Sequence, residues 1–193
     1  MQFRSNLIDL LTSMKKSLFV ASLATFLALQ SAAKAENKFS IFSNDFKNGS
    51  NLVKSNEFNG FGCNGKNIAP KIKLKDVPAE TKSLAFTIYD PDAPTGSGWW
   101  HFVAYNIPAK EKSIYANRLP KGAMANTNDS GSKDFMGPCP PVGHGKHHYH
   151  FNVYALDTEK LEIPANATAA FVGYMINQHK IASATIVGIY ERK

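Results

Sequence analysis

Histidines and acidic residues that could do chemistry are concentrated in two loops of the chain. Four of the six histidines lie between residues 144 and 150, directly after a loop rich in proline and glycine. A second loop, residues 90–94 (Asp-Pro-Asp-Ala-Pro), follows an apolar run and precedes Trp99-Trp100-His101. Because proline fixes φ and offers no backbone donor, both loops are stiff. We expect the two loops to form the walls of one pocket.

Asp90 is the first candidate for acid–base chemistry. It ends the apolar run 83–89, where burial disfavours a charged carboxylate unless a hydrogen-bond donor is near. His101, on the next predicted strand, is the donor that we expect. Such an Asp–His pair in a cleft can hold a proton and bind an oxyanion. The alternative is that Asp90 and Asp92 only close Asx turns within their loop.

The histidine cluster also raises the question of a metal site. On a strand, His148 and His150 point to one face while His147 and Tyr149 point to the other. The imidazoles could converge only if the loop 143–146 folded back, and the chain has no HExxH or paired CxxC motif. It also lacks the GxSxG elbow of a serine hydrolase. We therefore predict no metal and no cofactor, and the alternative to a functional cluster is a set of surface imidazoles.

An anion pocket fits the residue types better. His147 and Tyr149, with His101 across from them, are donors that suit phosphate or carboxylate oxygens. Trp99 and the pair Pro140-Pro141 supply apolar walls, which strengthen such hydrogen bonds by lowering the local dielectric. We predict that the two loops bind a small anion.

The first 35 residues have the pattern of an export leader. A basic start, Lys15-Lys16, precedes an apolar run from Leu18 to Leu29 and an A-x-A cleavage pattern that ends at Ala35. The apolar run is too short to span a bilayer as a helix. We predict cleavage near Ala35, an upstream extension before Met14, and a periplasmic or secreted mature chain. An uncleaved anchor is the alternative.

Residues 36–193 are of a length that suits a single domain with a substantial core. Removal of the leader lowers the net charge from +7 to +4, because the leader carries four of the 22 basic residues and one of the 15 acidic residues. The remaining lysines are mostly scattered, whereas nucleic-acid surfaces show clustered basic residues. We predict no nucleic-acid partner and no stable membrane insertion. Lysines alternate with apolar residues at 71–75, which predicts the solvent face of an edge strand.

The chain has only two cysteines, Cys63 and Cys139. An even number of cysteines in an exported chain favours a disulfide. This bridge would pin the proline loop at 138–141 to the loop 61–65. The alternative is a pair of free thiols, although neither cysteine lies in a catalytic motif.

Alternation of apolar and polar residues predicts several strands and one late helix. The helix is predicted over residues 167–178, with Asn166 as its N-cap. Its mostly apolar face, which we expect to dock on a sheet, comprises Phe171, Tyr174, Met175 and Gln178. The pattern predicts a mainly antiparallel β architecture. The strands are predicted at 39–43, 72–74, 83–89, 101–107, 123–126, 149–156 and 181–190.

Several motifs taken together resemble the phosphatidylethanolamine-binding protein (PEBP) family, and more narrowly its bacterial Raf-kinase-inhibitor-like branch. The resemblance covers essentially all of residues 36–193. It implies a mainly β fold, a two-sheet antiparallel β-sandwich with a few short helices. It also implies a small pocket that accepts phosphate or phosphoryl head groups. The motifs are 61–63 (Phe-Gly-Cys), 67–70 (Asn-Ile-Ala-Pro), 88–94 (Ile-Tyr-Asp-Pro-Asp-Ala-Pro), 98–102 (Gly-Trp-Trp-His-Phe), 140–141 (Pro-Pro), 147–149 (His-His-Tyr) and 173–175 (Gly-Tyr-Met).

The resemblance also implies a set of ligand-binding residues and shows two departures from the family pattern. Cys139 stands where many members have a small residue, so that a disulfide would reshape the rim of the pocket. His148 replaces an arginine that is often found between the histidine and the tyrosine, which removes a fixed positive charge. The implied ligand-binding residues are Asp90, Pro94, Trp99, His101, Pro140, Pro141, His147 and Tyr149.

The residues and the resemblance together predict an exported, non-enzymatic protein that binds a small anion or a phosphoryl or phospholipid head group. One alternative is a protein-directed inhibitor or signalling module, because some relatives inhibit kinases or peptidases. Another is a hydrolase that uses Asp90, His101 and His147 as acid–base groups. A protein partner, and a homodimer formed through edge strands, are open alternatives.

Overall fold

The computed structural model describes residues 38–193, so the predicted leader and its cleavage site lie outside the described residues. Within residues 38–193, no helix is both long and apolar enough to cross a bilayer. This part of the chain consists mainly of strands, with one 3₁₀ turn and one α-helix. The elements are β1 (Ser40–Ser43), β2 (Ser50–Asn51), the 3₁₀ turn (Lys54–Asn56), β3 (Asn59–Gly60), β4 (Cys63–Asn64), β5 (Ile72–Lys75), β6 (Ser83–Asp90), β7 (Trp99–Pro108), β8 (Ser113–Ile114), β9 (Met124–Ala125), β10 (His147–Leu156), α1 (Ala169–His179) and β11 (Lys180–Tyr190).

The strands form one large and two small sheets. The large sheet has the order β2-β11-β10-β6-β7-β9 and is antiparallel except where β11 pairs with β2. The second sheet has the order β1-β5-β8, and β3 pairs with β4. The predicted mainly antiparallel β fold is confirmed. However, β5 is the central strand of its sheet and not an edge strand, although Lys71 before it and its last residue, Lys75, are exposed as predicted.

Both faces of the large sheet are buried. On one face, Phe86, Phe102 and Phe151 pack with Ile72 and Ile114 of the small sheet, so the two sheets form a sandwich around one core. On the opposite face, a second cluster lies beneath α1. Burial on both faces explains why β6 is buried along nearly its whole length. The second cluster contains Ala85, Val103, Tyr105, Leu156, Leu161, Ala169, Val172 and Ile176.

The helix α1 docks through a different face from the one that the sequence predicted. Ala169, Val172 and Ile176 are buried against the sheet, whereas Phe171 and Tyr174 are 40% and 58% exposed. The buried face is purely aliphatic, whereas Tyr174 and Gln178 of the predicted face carry polar groups that would need hydrogen-bond partners if buried. The N-cap also differs from the prediction, because Thr168 and not Asn166 accepts the capping hydrogen bond from the Phe171 amide.

A bulge in β7 decides which way His101 points. Ile88 of β6 pairs with Phe102, and the next residue, Tyr89, pairs with Trp100, so His101 is an extra residue without a partner in β6. A bulge of this kind reverses the alternation of side chains along its strand. Trp100 therefore packs on the helix side of the sheet. His101 lies on the other side, beside Tyr149 of β10, with 5.1 Å between the ring centroids.

The capping assignment can be tested with two alanine substitutions. We expect Thr168→Ala to lower the free energy of unfolding by about 1 kcal/mol, because it removes the acceptor for the Phe171 amide. Asn166→Ala is the matched control and should leave the stability within about 0.5 kcal/mol of the parent. Urea unfolding of residues 36–193 measures both, and a larger loss for Asn166→Ala would contradict the assignment.

Candidate anion-binding pocket

All eight predicted ligand-binding residues line one cavity of about 180 Å³ at the end of the large sheet. We call this cavity the pocket. Five further residues also line the pocket, and the sequence did not mark them as ligand-binding because their side chains are not typical ligands of an anion. The eight predicted residues are Asp90, Pro94, Trp99, His101, Pro140, Pro141, His147 and Tyr149, and the five others are Phe61, Ala93, Thr95, Met136 and Cys139.

The partner of Asp90 is His147 and not His101. The Nδ1 atom of His147 lies 2.6 Å from Oδ2 of Asp90, and both side chains are almost fully buried. The other carboxylate oxygen, Oδ1, accepts a hydrogen bond from the Asp92 amide, so Asp90 also closes the Asx-type turn that was the alternative. The predicted Asp90–His101 pair was wrong, because β10 places the His147 ring against Asp90 and the His101 ring is bonded to a different acceptor.

That acceptor is a backbone carbonyl. The Nδ1 atom of His101 lies 2.8 Å from the carbonyl oxygen of Met136, and the Met136 amide in turn donates to the His101 carbonyl. Because a carbonyl oxygen can only accept, Nδ1 of His101 carries the hydrogen. Burial lowers the pKa of His101 to about 4, although the hydrogen bond to Met136 and the charge of Asp90 act in the opposite direction. At neutral pH the ring is therefore uncharged, and Nε2 has a free lone pair.

The Met136 carbonyl is held in place from both sides by Asn67. The Asn67 side chain donates to the Phe135 carbonyl and accepts from the Gly137 amide, at 2.8 and 2.7 Å. Asn67 itself has φ of 53°, in the left-handed region, which Asn tolerates better than most residues. The sequence placed Asn67 in a family motif but gave it no role. In the structure it fixes the acceptor that sets the tautomer of His101.

His147 uses its second ring nitrogen as well. Its Nε2 atom lies 2.7 Å from Nδ1 of His144, because the loop 143–146 does fold back over β10. Asp90, His147 and His144 thus form a hydrogen-bonded row that runs from the buried end of β6 to the surface. Within residues 38–193, no three or more His, Cys, Asp or Glu side chains are arranged to hold a metal ion.

Two hydrogen-bond donors in the pocket wall have no protein acceptor. Within residues 38–193, the Tyr149 hydroxyl and the Trp99 Nε1 atom are buried and make no hydrogen bond. Burial raises the pKa of Tyr149, and the negative charges of Asp90 and Asp92 raise it further, so the hydroxyl keeps its proton. Buried donors without an acceptor are rare because each costs about 1–3 kcal/mol. Both residues belong to the wall of the pocket.

The rim of the pocket is fixed by a disulfide and an arginine. Cys63 and Cys139 are bridged, with their Cα atoms 6.0 Å apart, which joins the loop 61–65 to the proline loop. The Arg192 guanidinium donates to the Gly62 and Pro140 carbonyls at 2.8 and 3.2 Å, across the same junction. Phe61 lies on this loop with φ of 52° and is 70% exposed at the mouth of the pocket.

His148, which departs from the family pattern, points away from the pocket. Its backbone amide and its Nδ1 atom both lie within 2.8 Å of Oδ2 of Asp92, which ties the 90–94 loop to β10. Partial burial acts to raise the pKa of Asp92, but the hydrogen bonds from His148 outweigh it and hold that pKa below its usual value. The replacement of the family's arginine by His148 thus removes a positive charge where the 90–94 loop meets β10, and not from the wall of the pocket.

The chain belongs to the phosphatidylethanolamine-binding protein family, because the family model matches residues 42–191. The protein UPF0098 YbcL of Escherichia coli (strain K12) is 45% identical over 185 residues, which cover 92% of this chain and 100% of the relative. The crystal structure of E. coli YbcL is described as that of a new member of the mammalian PEBP family. It superposes on this chain with a TM-score of 0.78 and is 48% identical in sequence. The superposition covers 81% of this chain and 100% of the YbcL chain. UPF0098 protein YbhB of the same organism is 40% identical over 156 residues, with 78% and 98% coverage.

Removal of the disulfide should destabilise the fold. The bridge spans 76 residues, and loop-closure entropy assigns such a link about 4 kcal/mol. We expect the Cys63→Ser/Cys139→Ser double variant to unfold at a lower urea concentration than the oxidised parent. Parent protein reduced under the same conditions is the control and should match the variant. Equal midpoints for the oxidised parent and the variant would contradict the stabilising role.

His101 should make stability depend on pH. The pKa of its imidazole is about 4 in the folded chain against 6.5 for an unperturbed histidine, so the unfolded state binds a proton first as the pH falls. The free energy of unfolding is therefore highest above pH 6.5, where His101 is mostly neutral in both the folded and the unfolded state. It falls by about 3 kcal/mol by pH 4. We expect His101→Gln to lack this part of the pH dependence and the more exposed control His179→Gln to retain it. Urea unfolding at pH 7.5 and pH 4 compares the two, and equal pH dependence would contradict the assignment.

Proposed function

We propose that this member of the PEBP family is an exported, non-enzymatic protein that binds a small anion or a phosphoryl or phospholipid head group in the pocket. The observation that carries the proposal is the pair of buried donors, the Tyr149 hydroxyl and Trp99 Nε1, which find no acceptor within residues 38–193. Oxygen atoms of an anion would accept from both. Pro94, Pro140 and Pro141 supply apolar walls that strengthen these hydrogen bonds.

The size of the pocket supports a small polar ligand. Its volume of about 180 Å³ is below the range of pockets that enclose drug-sized molecules. The exposed Phe61 side chain at the mouth gives the rest of a larger ligand an apolar contact outside the pocket. A phosphoryl group bound inside, with its substituent over Phe61, satisfies both features.

The arrangement of the histidines supports binding rather than catalysis. Both ring nitrogens of His147 are engaged, by Asp90 and by His144. His101 is held by the Met136 carbonyl, and a base with pKa of about 4 is poorly matched to proton transfer at neutral pH. Neither imidazole is therefore set up as a general base for hydrolysis.

A protein-directed role is the second candidate, because apolar side chains cluster at the mouth of the pocket. Phe61, which lines the pocket, and Val142, the neighbour of the lining residue Pro141, are 70% and 63% exposed. An inhibitor would use this rim and would keep its partner after a change inside the pocket. Export rests on the leader pattern of the sequence, and a disulfide suits an oxidising compartment such as the periplasm.

Isothermal titration of residues 36–193 with inorganic phosphate and with O-phosphoethanolamine tests the proposal. We expect saturable binding that Tyr149→Phe weakens about tenfold, because the variant loses one hydrogen bond and little else. Tyr174→Phe is the matched control, since Tyr174 is exposed on α1, and should bind as the parent does. The absence of heat with either compound, in the parent and in both variants, would overturn the ligand-binding role.

A further inference from the structure

We propose that His144 is an acid-released latch on the loop 143–146. At neutral pH its ring holds the loop over the buried Asp90–His147 pair, and protonation of both imidazoles frees the loop and uncovers His147. The latch depends only on these groups, so it holds whether or not the pocket binds an anion. Because His147 lines the pocket, release of the loop would make access to this part of the wall depend on pH.

The hydrogen bond between the two imidazoles has room for only one hydrogen. Nδ1 of His144 and Nε2 of His147 lie 2.7 Å apart, so one nitrogen donates and the other accepts with its lone pair. Nδ1 of His147 carries a hydrogen of its own, because an ionised carboxylate only accepts and Oδ2 of Asp90 lies 2.6 Å away. The bond between the rings therefore survives while the pair carries no positive charge or one. When both rings are protonated, two N–H groups of like charge face each other and the bond is lost.

Few other contacts hold the loop 143–146 in its closed position. Within residues 38–193, His147 is the only hydrogen-bond partner of the His144 ring. The backbone adds two hydrogen bonds, from the Gly143 and His144 amides to carbonyls outside the loop, at 2.9 and 3.2 Å. Gly143 and Gly145 have φ of 74° and 93°, and each has open space where a Cβ would lie. Glycine adopts many other backbone conformations, so the loop can move outward once the ring is released.

The latch joins an exposed ring to a buried one. His144 is exposed, whereas the side chains of His147 and Asp90 are 1% and 3% exposed. The centroids of the two imidazoles are 5.0 Å apart, so the His144 ring shields Nε2 of His147 from water. Its departure would expose that nitrogen, while the hydrogen bond to Asp90 keeps the His147 ring in place.

The groups around the two imidazoles offer a partner for one positive charge and not for two. A charge on His147 lies against the Asp90 carboxylate. Within residues 38–193, no carboxylate forms an ion pair with His144, so a second charge on the pair is opposed by the first. The titratable and charged groups that face or adjoin the pair are Asp90 and Asp92 at the end of β6, His101 of β7, Tyr149 of β10, Lys146 of the loop itself, and Tyr190, Glu191, Arg192 and Lys193 at the end of β11.

Nitrogen NMR of the protein at pH 7.5 and pH 4.5, on either side of the usual titration range of histidine, tests the latch. At pH 7.5 we expect a scalar coupling between Nδ1 of His144 and Nε2 of His147 across the shared hydrogen. We also expect backbone order parameters of about 0.85 for residues 143–146. At pH 4.5 the coupling should vanish and the order parameters should fall below about 0.6, the value of a flexible segment. A coupling that persists at pH 4.5, or that is absent at pH 7.5, would overturn the latch.

Three variants separate the His144 ring from the other groups that titrate. His144→Gln does not titrate, and its amide can either donate to Nε2 of His147 or accept from it, so the loop should stay ordered at both pH values. His144→Ala lacks the latch group, so the loop should be mobile at both. Lys146→Ala is the matched control in the same loop and should respond to pH as the parent does. A loop that becomes mobile at pH 4.5 in His144→Gln would assign the response to another group and overturn the proposal.

Modification of the imidazoles by diethyl pyrocarbonate at pH 7.5 tests whether His144 covers His147. The reagent needs an accessible ring nitrogen with a free lone pair. We expect mass spectrometry to find His147 modified about tenfold faster in His144→Ala than in the parent or in His144→Gln, which both keep the ring covered. Equally slow modification of His147 in all three proteins would show that the ring stays covered without His144 and would overturn this part of the proposal.

Discussion

The single extra residue in β7 at His101 is the constraint on which the pocket depends. Strict alternation along β7 would put His101 on the side of Val103, beneath α1, and Trp100 in the sandwich core. The bulge exchanges these positions, so the indole goes to the helix and the imidazole to Tyr149 and the pocket. The Met136 carbonyl then holds the ring, and Asn67 holds the loop that carries Met136. The cavity is thus a consequence of backbone irregularity at one strand position.

Burial of Asp90 shows how the fold keeps a carboxylate away from water. The side chain lies at the inner end of β6 and is only 2% exposed, yet both of its oxygens accept hydrogen bonds. One comes from the rigid loop that follows it and one from β10, so the carboxylate also fixes the two strands relative to each other. A charge buried with such partners is tolerated, whereas the same carboxylate without them would be costly. His147 therefore has a structural role whatever the ligand.

Much of the fold and the membership of the pocket could be predicted from the sequence. The long strands alternate clearly, the two proline loops indicated a single pocket, and the resemblance to the family implied the eight residues that line it. The hydrogen-bond partner of His101 could not be predicted, because the Met136 carbonyl belongs to a loop 35 residues away whose path the sequence does not indicate. Alternation also gave no sign that the loop 143–146 brings His144 to His147. The helix face was mispredicted because the polar groups of Tyr174 and Gln178 received too little weight against the aliphatic Val172 and Ile176.

The position of Arg192 has a practical consequence for anyone who handles this protein. Its side chain donates to the Gly62 and Pro140 carbonyls, and its own carbonyl accepts from the Gly143 amide. The segment after β11 is therefore hydrogen-bonded to the rim of the pocket. A purification tag or fluorophore fused after Lys193 would emerge beside the opening of the pocket. Labels attached far from this corner, for example on the exposed surface of α1, would leave the opening undisturbed.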